Sequence, residues 1–190
     1  MTGDLLPAKQ GAGPLLQRDY WTVLADCPLP PSGLMAQIKR DFCRFPPAAL
    51  VEFVTSGPVV KDALLDIHIK PGQHCGVRVI HEDAQSLTLA TLEGHPEAGR
   101  ITFGAYRNAA GDVILHIRSR ARSGTLLKRL GFLAIGDAMQ TNTWTDFIRN
   151  AAAAVGARIP GVIHADTTEV EETPEDADPP CTPTFRAVGD

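Results

Sequence analysis

The chain has 190 residues, 44% of them hydrophobic, and a formal net charge of −4. That length can bury one good core, and the four scattered cysteines (Cys27, Cys43, Cys75, Cys181) lack the paired spacing of a disulfide framework or a structural zinc site. The opening residues carry an acid where a signal peptide carries a base, and the longest apolar run, 130–135, is far short of the roughly 20 residues that span a bilayer. The expectation is one cytoplasmic domain with reduced thiols and no transmembrane segment.

In chain order, residues 1–14 are expected to be a flexible N-terminus and 15–163 the folded domain. Tyr20-Trp21-Thr22-Val23-Leu24-Ala25 has the aromatic and β-branched content of a strand, which Cys27-Pro28-Leu29-Pro30-Pro31 ends. Leu34, Ile38 and Phe42 then recur at helical spacing, with Lys39, Arg40 and Asp41 between them. Six alternating segments follow, at 51–54, 63–70, 75–81, 86–92, 100–107 and 112–122, the spacing of an antiparallel meander. For the hairpin around Pro71-Gly72, a three-residue loop is the preferred register. It pairs Ile67 with Val77 and Leu65 with Val79, and puts His68 and Cys75 on opposite faces.

Ser123 is a plausible N-cap for a helix running from 126 to about 155. Its second half shows a clean stripe, Trp144, Phe147, Ile148, Ala151 and Val155, opposite Asn142, Asp146, Arg149 and Asn150. Its first half is apolar nearly all round and contains Gly131 and Gly136, so a kink or break is expected there. From His164 onward there are eight acids and one base, a charge of −7, against 17 bases and 14 acids, or +3, in the rest. With four prolines and little apolar content after Val170, segment 164–190 is expected to be a disordered acidic tail.

Candidate chemistry is sparse. His95 and Glu97 invite an acid/base reading, because imidazole titrates near neutral pH and a carboxylate can orient it. Gly94-His95-Pro96-Glu97 is also turn chemistry, and that is the preferred reading. His116, between Leu115 and Ile117, faces the other side of its strand from those apolar neighbours. Ser119 and Ser123 lack a nucleophile elbow, and the six histidines offer no metal-binding spacing, so neither a hydrolytic triad nor a metal or other cofactor is expected. Arg118, Arg120 and Arg122 share a strand face, with Lys128 and Arg129 just beyond. They suit an anionic head group or the acidic tail. Nucleic acid is the weakest option, because the body is only +3 and no stacking aromatics accompany the arginines.

The order of strand, helices, meander and long C-terminal helix is that of the helix-grip fold. Leu92-Glu93-Gly94-His95-Pro96-Glu97-Ala98-Gly99, with Phe103 following and Val113-x-Leu115-x-Ile117-x-Ser119 before the helix, resembles the domain-of-unknown-function family nineteen-ninety. That family is grouped with the START-like and polyketide-cyclase-like (SRPBCC) proteins, and the resemblance covers about 15–157. Where acidic residues would be expected after Gly99, this chain has Arg100-Ile101.

The resemblance implies an α+β fold, a curved antiparallel sheet wrapped around the last helix, and binding of a hydrophobic or amphipathic small molecule or lipid between them. The residues assigned to that cavity are Trp21, Phe103, Tyr106, Leu115, Ile117, Phe132, Met139 and Trp144. A cyclase- or hydrolase-like enzyme in the same cavity, using His95 or Tyr106, and a ligand-free structural module are the alternatives.

Overall fold

A computed structural model describes residues 3–124 and 126–177, with side chains left aside over 126–137 and at 175 and 177. Eight strands form one antiparallel sheet in the order β2-β3-β4-β5-β6-β7-β1-β8. They are β1 (Ala12–Leu24), β2 (Val51–Val54), β3 (Leu64–Ile69), β4 (Gln73–Glu82), β5 (Ser86–Thr91), β6 (Glu97–Arg107), β7 (Val113–Ser123) and β8 (His164–Val170). Three helices accompany them: α1 (Pro31–Asp41), the long α2 (Leu126–Ala154) and the short α3 (Pro174–Ala177). The fold is α+β, a curved antiparallel sheet gripping α2, as the sequence implies.

Alternation decides which face is the inner one. Phe103 and Ala105 on β6, Leu115 and Ile117 on β7, and Tyr20 and Leu24 on β1 point into one core with Phe147, Ile148 and Ala151 of α2. Those α2 residues are the apolar stripe, and Asn142, Arg149 and Asn150 opposite them are exposed. Leu34, Met35 and Ile38 of α1 close the same core from the other side. Six aromatic rings fill its centre. Phe103 lies 5.0 Å from Phe42, 5.0 Å from Phe147 and 5.5 Å from Trp144, and Phe53 and Phe45 complete the cluster. Edge-to-face pairs at these separations add about 0.5–1.5 kcal/mol each beyond their buried area.

Four expectations change. The β3–β4 hairpin turns around Lys70-Pro71-Gly72 rather than Pro71-Gly72-Gln73: Ile67 faces Cys75 and Leu65 faces Val77, with Ile69 paired to Gln73. The shift is by two residues, so every side chain keeps its expected face, and hydrophobic patterning cannot tell the two registers apart. His68 and Cys75 therefore do fall on opposite faces, and the His68 ring lies 4.4 Å from that of His74 at a 59° tilt. Second, the N-terminal segment is docked from Gly3 onward. Leu6 N–H donates to Thr91 O at 2.8 Å, Leu5 bridges Leu92, and Pro7 and Ala8 are buried. Third, 164–177 is ordered, β8 being added to the edge of β1 from Trp21↔His164 to Leu15↔Val170. Every β8 side chain but Val170 is exposed. Backbone hydrogen bonds hold the strand, so it leaves no hydrophobic pattern to read. Fourth, α2 is a single helix through Gly131 and Gly136. About 1 kcal/mol per glycine is too little to break a helix whose second half is anchored in the core. No helix among the described residues is long and apolar enough to cross a membrane.

Candidate functional site

The Gly-His-Pro-Glu segment is a turn that joins two strands and meets the chain just past β7. Gly94 takes φ +86°, a conformation that favours glycine, and His95 N–H donates to Leu92 O at 3.1 Å. The His95 ring folds back on its own turn, its Nδ1 accepting from Glu97 N–H at 3.0 Å. Gly124, just past β7, donates its N–H to Pro96 O at 2.7 Å, and a Cβ there would lie 2.6 Å from His95 O. Only a glycine lets the two chain segments come this close.

The same turn borders the space between the sheet and α2. Two neighbouring cavities, about 100 Å³ and 60 Å³, lie there and share Phe53, Ile67, His95, Glu97, Gln140 and Trp144 in their walls. Met139 and Thr143 line the larger one, and Ser119, Thr91 and Ala121 the smaller. Most of the lining is apolar, and the polar groups gather at the end near the turn. There Arg18 Nη1 lies 3.4 Å from Glu97 Oε1, both side chains largely buried, and Gln140 Nε2 donates to Glu97 Oε2. The Ser119 hydroxyl and Gln140 Oε1 are buried and have no hydrogen-bond partner among the described residues. The turn that marks the fold and the wall of the cleft are therefore one place.

The sequence-assigned cavity residues separate. Met139 and Trp144 line the cleft. Phe103, Leu115 and Ile117 are fully buried in the packed core beside it. Trp21 and Tyr106 are corrected to the outer face of the sheet. Trp21 stacks on His164 with centroids 3.9 Å apart, and Tyr106 Oη lies 3.1 Å from His116 Nδ1. Strand parity explains both, since each is one residue out of step with its inward-facing neighbours Tyr20 and Ala105. Phe132 lies outside the described side chains, as do Lys128 and Arg129. Sequence reasoning missed Arg18, Ser119 and Gln140. Ser119 carried a readable signal, its alternation with Leu115 and Ile117, and Gln140 sits one helical turn before Trp144. Arg18 carried none, because the start of β1 was not legible.

On the outer face the three arginines are met by acids. His116, fully buried, links Tyr106 to Asp19 through Nε2 at 2.6 Å, and Arg118 Nε donates to the same Asp19 oxygen at 2.6 Å. Burial alone would raise the Asp19 carboxyl, but hydrogen bonds from His116, Arg118 and Gln17 outweigh it and hold the group below its ordinary range. Arg120 grips Asp176 of α3 with two bonds, at 2.9 and 2.7 Å, and Arg100 reaches the same carboxylate at 3.4 Å. Arg122 pairs with Glu172 at 2.9 Å. Among the described residues no group of three His, Cys, Asp or Glu side chains is placed to hold a metal ion.

A sheet wrapped round a C-terminal helix, with a small cleft between them, defines a helix-grip fold. Residues 45–154 match the family described as Domain of unknown function (DUF1990), and the chain belongs to that family. Among solved structures, the di-domain aromatase/cyclase StfQ from the steffimycin biosynthetic pathway is similar in fold. It has a TM-score of 0.51 at 11% identity, over 78% of this chain and 52% of that one. Protein CV1439 from Chromobacterium violaceum has a TM-score of 0.47 at 14% identity, over 73% of this chain and 96% of its own. Major latex-like protein 151 from Panax ginseng has a TM-score of 0.42 at 14% identity, over 75% and 99%. None of the curated proteins compared with the chain matches it.

Proposed function

We propose that this protein binds a small hydrophobic or amphipathic molecule in the cleft between the sheet and α2. The observation that carries the reading is the pair of adjoining cavities, apolar along their length and polar at the His95–Glu97 end. A cleft with a few polar groups at one end fixes a ligand's orientation while burial supplies affinity. Cys27 and Cys43 are free thiols, which supports placing the protein in a reducing, cytoplasmic compartment. Arg120 and Arg122 are a second contact for an anionic head group once segment 171–177 is displaced, whereas Arg118 stays paired with Asp19 of β1.

The aromatic cluster favours a second reading, a ligand-free module whose core is simply filled. Trp144 lines the cleft, whereas Trp21 stacks on His164 outside it, so a Trp21→Phe variant leaves one reporter in the wall. Adding small aliphatic ring compounds to it should shift the Trp144 emission saturably. Met139→Phe, which fills part of the larger cavity, should weaken that response at least fivefold. An unchanged Trp144 signal with every compound, in protein that melts normally, sinks the binding reading in favour of the filled core.

A further inference from the structure

The polar end of the cleft has a definite hydrogen-bonding sense, and it narrows the ligand. A carboxylate can only accept, so Glu97 fixes the Gln140 amide with Nε2 toward it. The Gln140 Oε1 is thereby turned away as a buried acceptor without a partner among the described residues. Ser119 stands in the same wall, 5% exposed, between Ile101 and Arg18 in the sheet, and its hydroxyl also lacks a partner among those residues. A buried acceptor and a buried hydroxyl left unmade each cost free energy that a ligand group of matching sense recovers. Beside them Glu97 is paired with Arg18, and Arg100, which also borders the smaller cavity, is engaged by Asp176.

We propose that the cleft selects an uncharged, single-ring molecule bearing a hydroxyl group, with Ser119 and Gln140 as its specificity-determining residues. The ligand O–H donates to Gln140 Oε1, and its oxygen accepts from the Ser119 hydroxyl. An anionic head group is disfavoured, because it would face the Gln140 carbonyl oxygen and lie beside the Glu97 carboxylate. Size points the same way: an apolar cavity of about 150 Å³ holds one benzene ring. The adjoining cavities of about 100 and 60 Å³ are of that order and well below what a lipid chain fills. This inference rests on the cleft being a binding site.

Three ring compounds that differ only in head group test it: cyclohexanol, methylcyclohexane and cyclohexanecarboxylate, titrated while the methyl resonances of Ala121 and Met139 are followed. Cyclohexanol should bind most tightly and the carboxylate least. Ser119→Ala should weaken cyclohexanol roughly fivefold to tenfold, the loss of one hydrogen bond, and leave methylcyclohexane unchanged or tighter. Gln140→Leu should do the same. Equal binding of alcohol and hydrocarbon, or indifference of the alcohol to both substitutions, overturns the hydroxyl selectivity while leaving the cleft a binding site. Failure of all three compounds to shift either methyl group overturns both readings together.

Discussion

Asp176 is the side chain whose role is least visible from its surroundings in the chain. It sits in an acidic, proline-containing stretch, yet it is 3% exposed and accepts from Arg120, from the Thr173 N–H at 2.9 Å and from the Thr173 hydroxyl at 2.7 Å. Burial would raise its carboxyl, but the Arg120 bonds and charge and the two Thr173 bonds bring it down to about 2. A carboxyl lowered in the folded state stabilises the protein above the ordinary value of 3.8, and that contribution is lost as pH falls through about 2. The wild type should therefore lose about 2 kcal/mol between pH 5 and pH 2 through this group, and Asp176→Asn should lack that part of the pH dependence. Melting curves of both proteins across that range measure it. Gly99 makes a second prediction at this scale. With φ +152°, its added Cβ would lie 2.2 Å from Arg120 O, so Gly99→Ala should cost more than about 2 kcal/mol in a denaturant titration. A cost within ordinary surface values would remove the close approach as the reason for a glycine in the motif.

The elements divide by how their ends are held. β3 to β7 pair with sequence neighbours, whereas β1 is inserted between β7 and β8. β8 and α3 behave as a strap across the outer face, held by backbone pairing to β1 and by the Arg120–Asp176 and Arg122–Glu172 pairs. Ending the chain before His164 should lower the melting temperature and unmask Arg120 and Arg122, raising binding to anionic vesicles at low salt. Cosedimentation with vesicles of anionic and of neutral lipid tests this, and identical behaviour of the full and shortened chains would remove the strap's masking role. The helices follow a different logic. α1 and the second half of α2 announce themselves because their apolar stripes face the core, whereas nothing in the β8 side chains does so.

At the scale of the whole molecule, the cleft exists because three separate stretches meet. β1 supplies Arg18, the β5–β6 turn supplies His95 and Glu97, and α2 supplies Gln140 and Trp144. A binding site of this kind is an arrangement of distant segments around a core that the aromatic cluster has nearly filled. The sequence by itself determined the strand meander, the apolar stripe of α2 and the Gly-His-Pro-Glu turn, because alternation, helical period and glycine conformation act over a few residues. It also placed His116 away from the cavity by parity alone. Only the tertiary structure decided that this turn forms the cleft's polar wall, that Trp21 and Tyr106 face outward, and that the acidic segment returns as a strand. Those outcomes depend on contacts between residues tens of positions apart, such as Arg18 with Glu97 and Arg120 with Asp176, which leave no periodic trace in the chain.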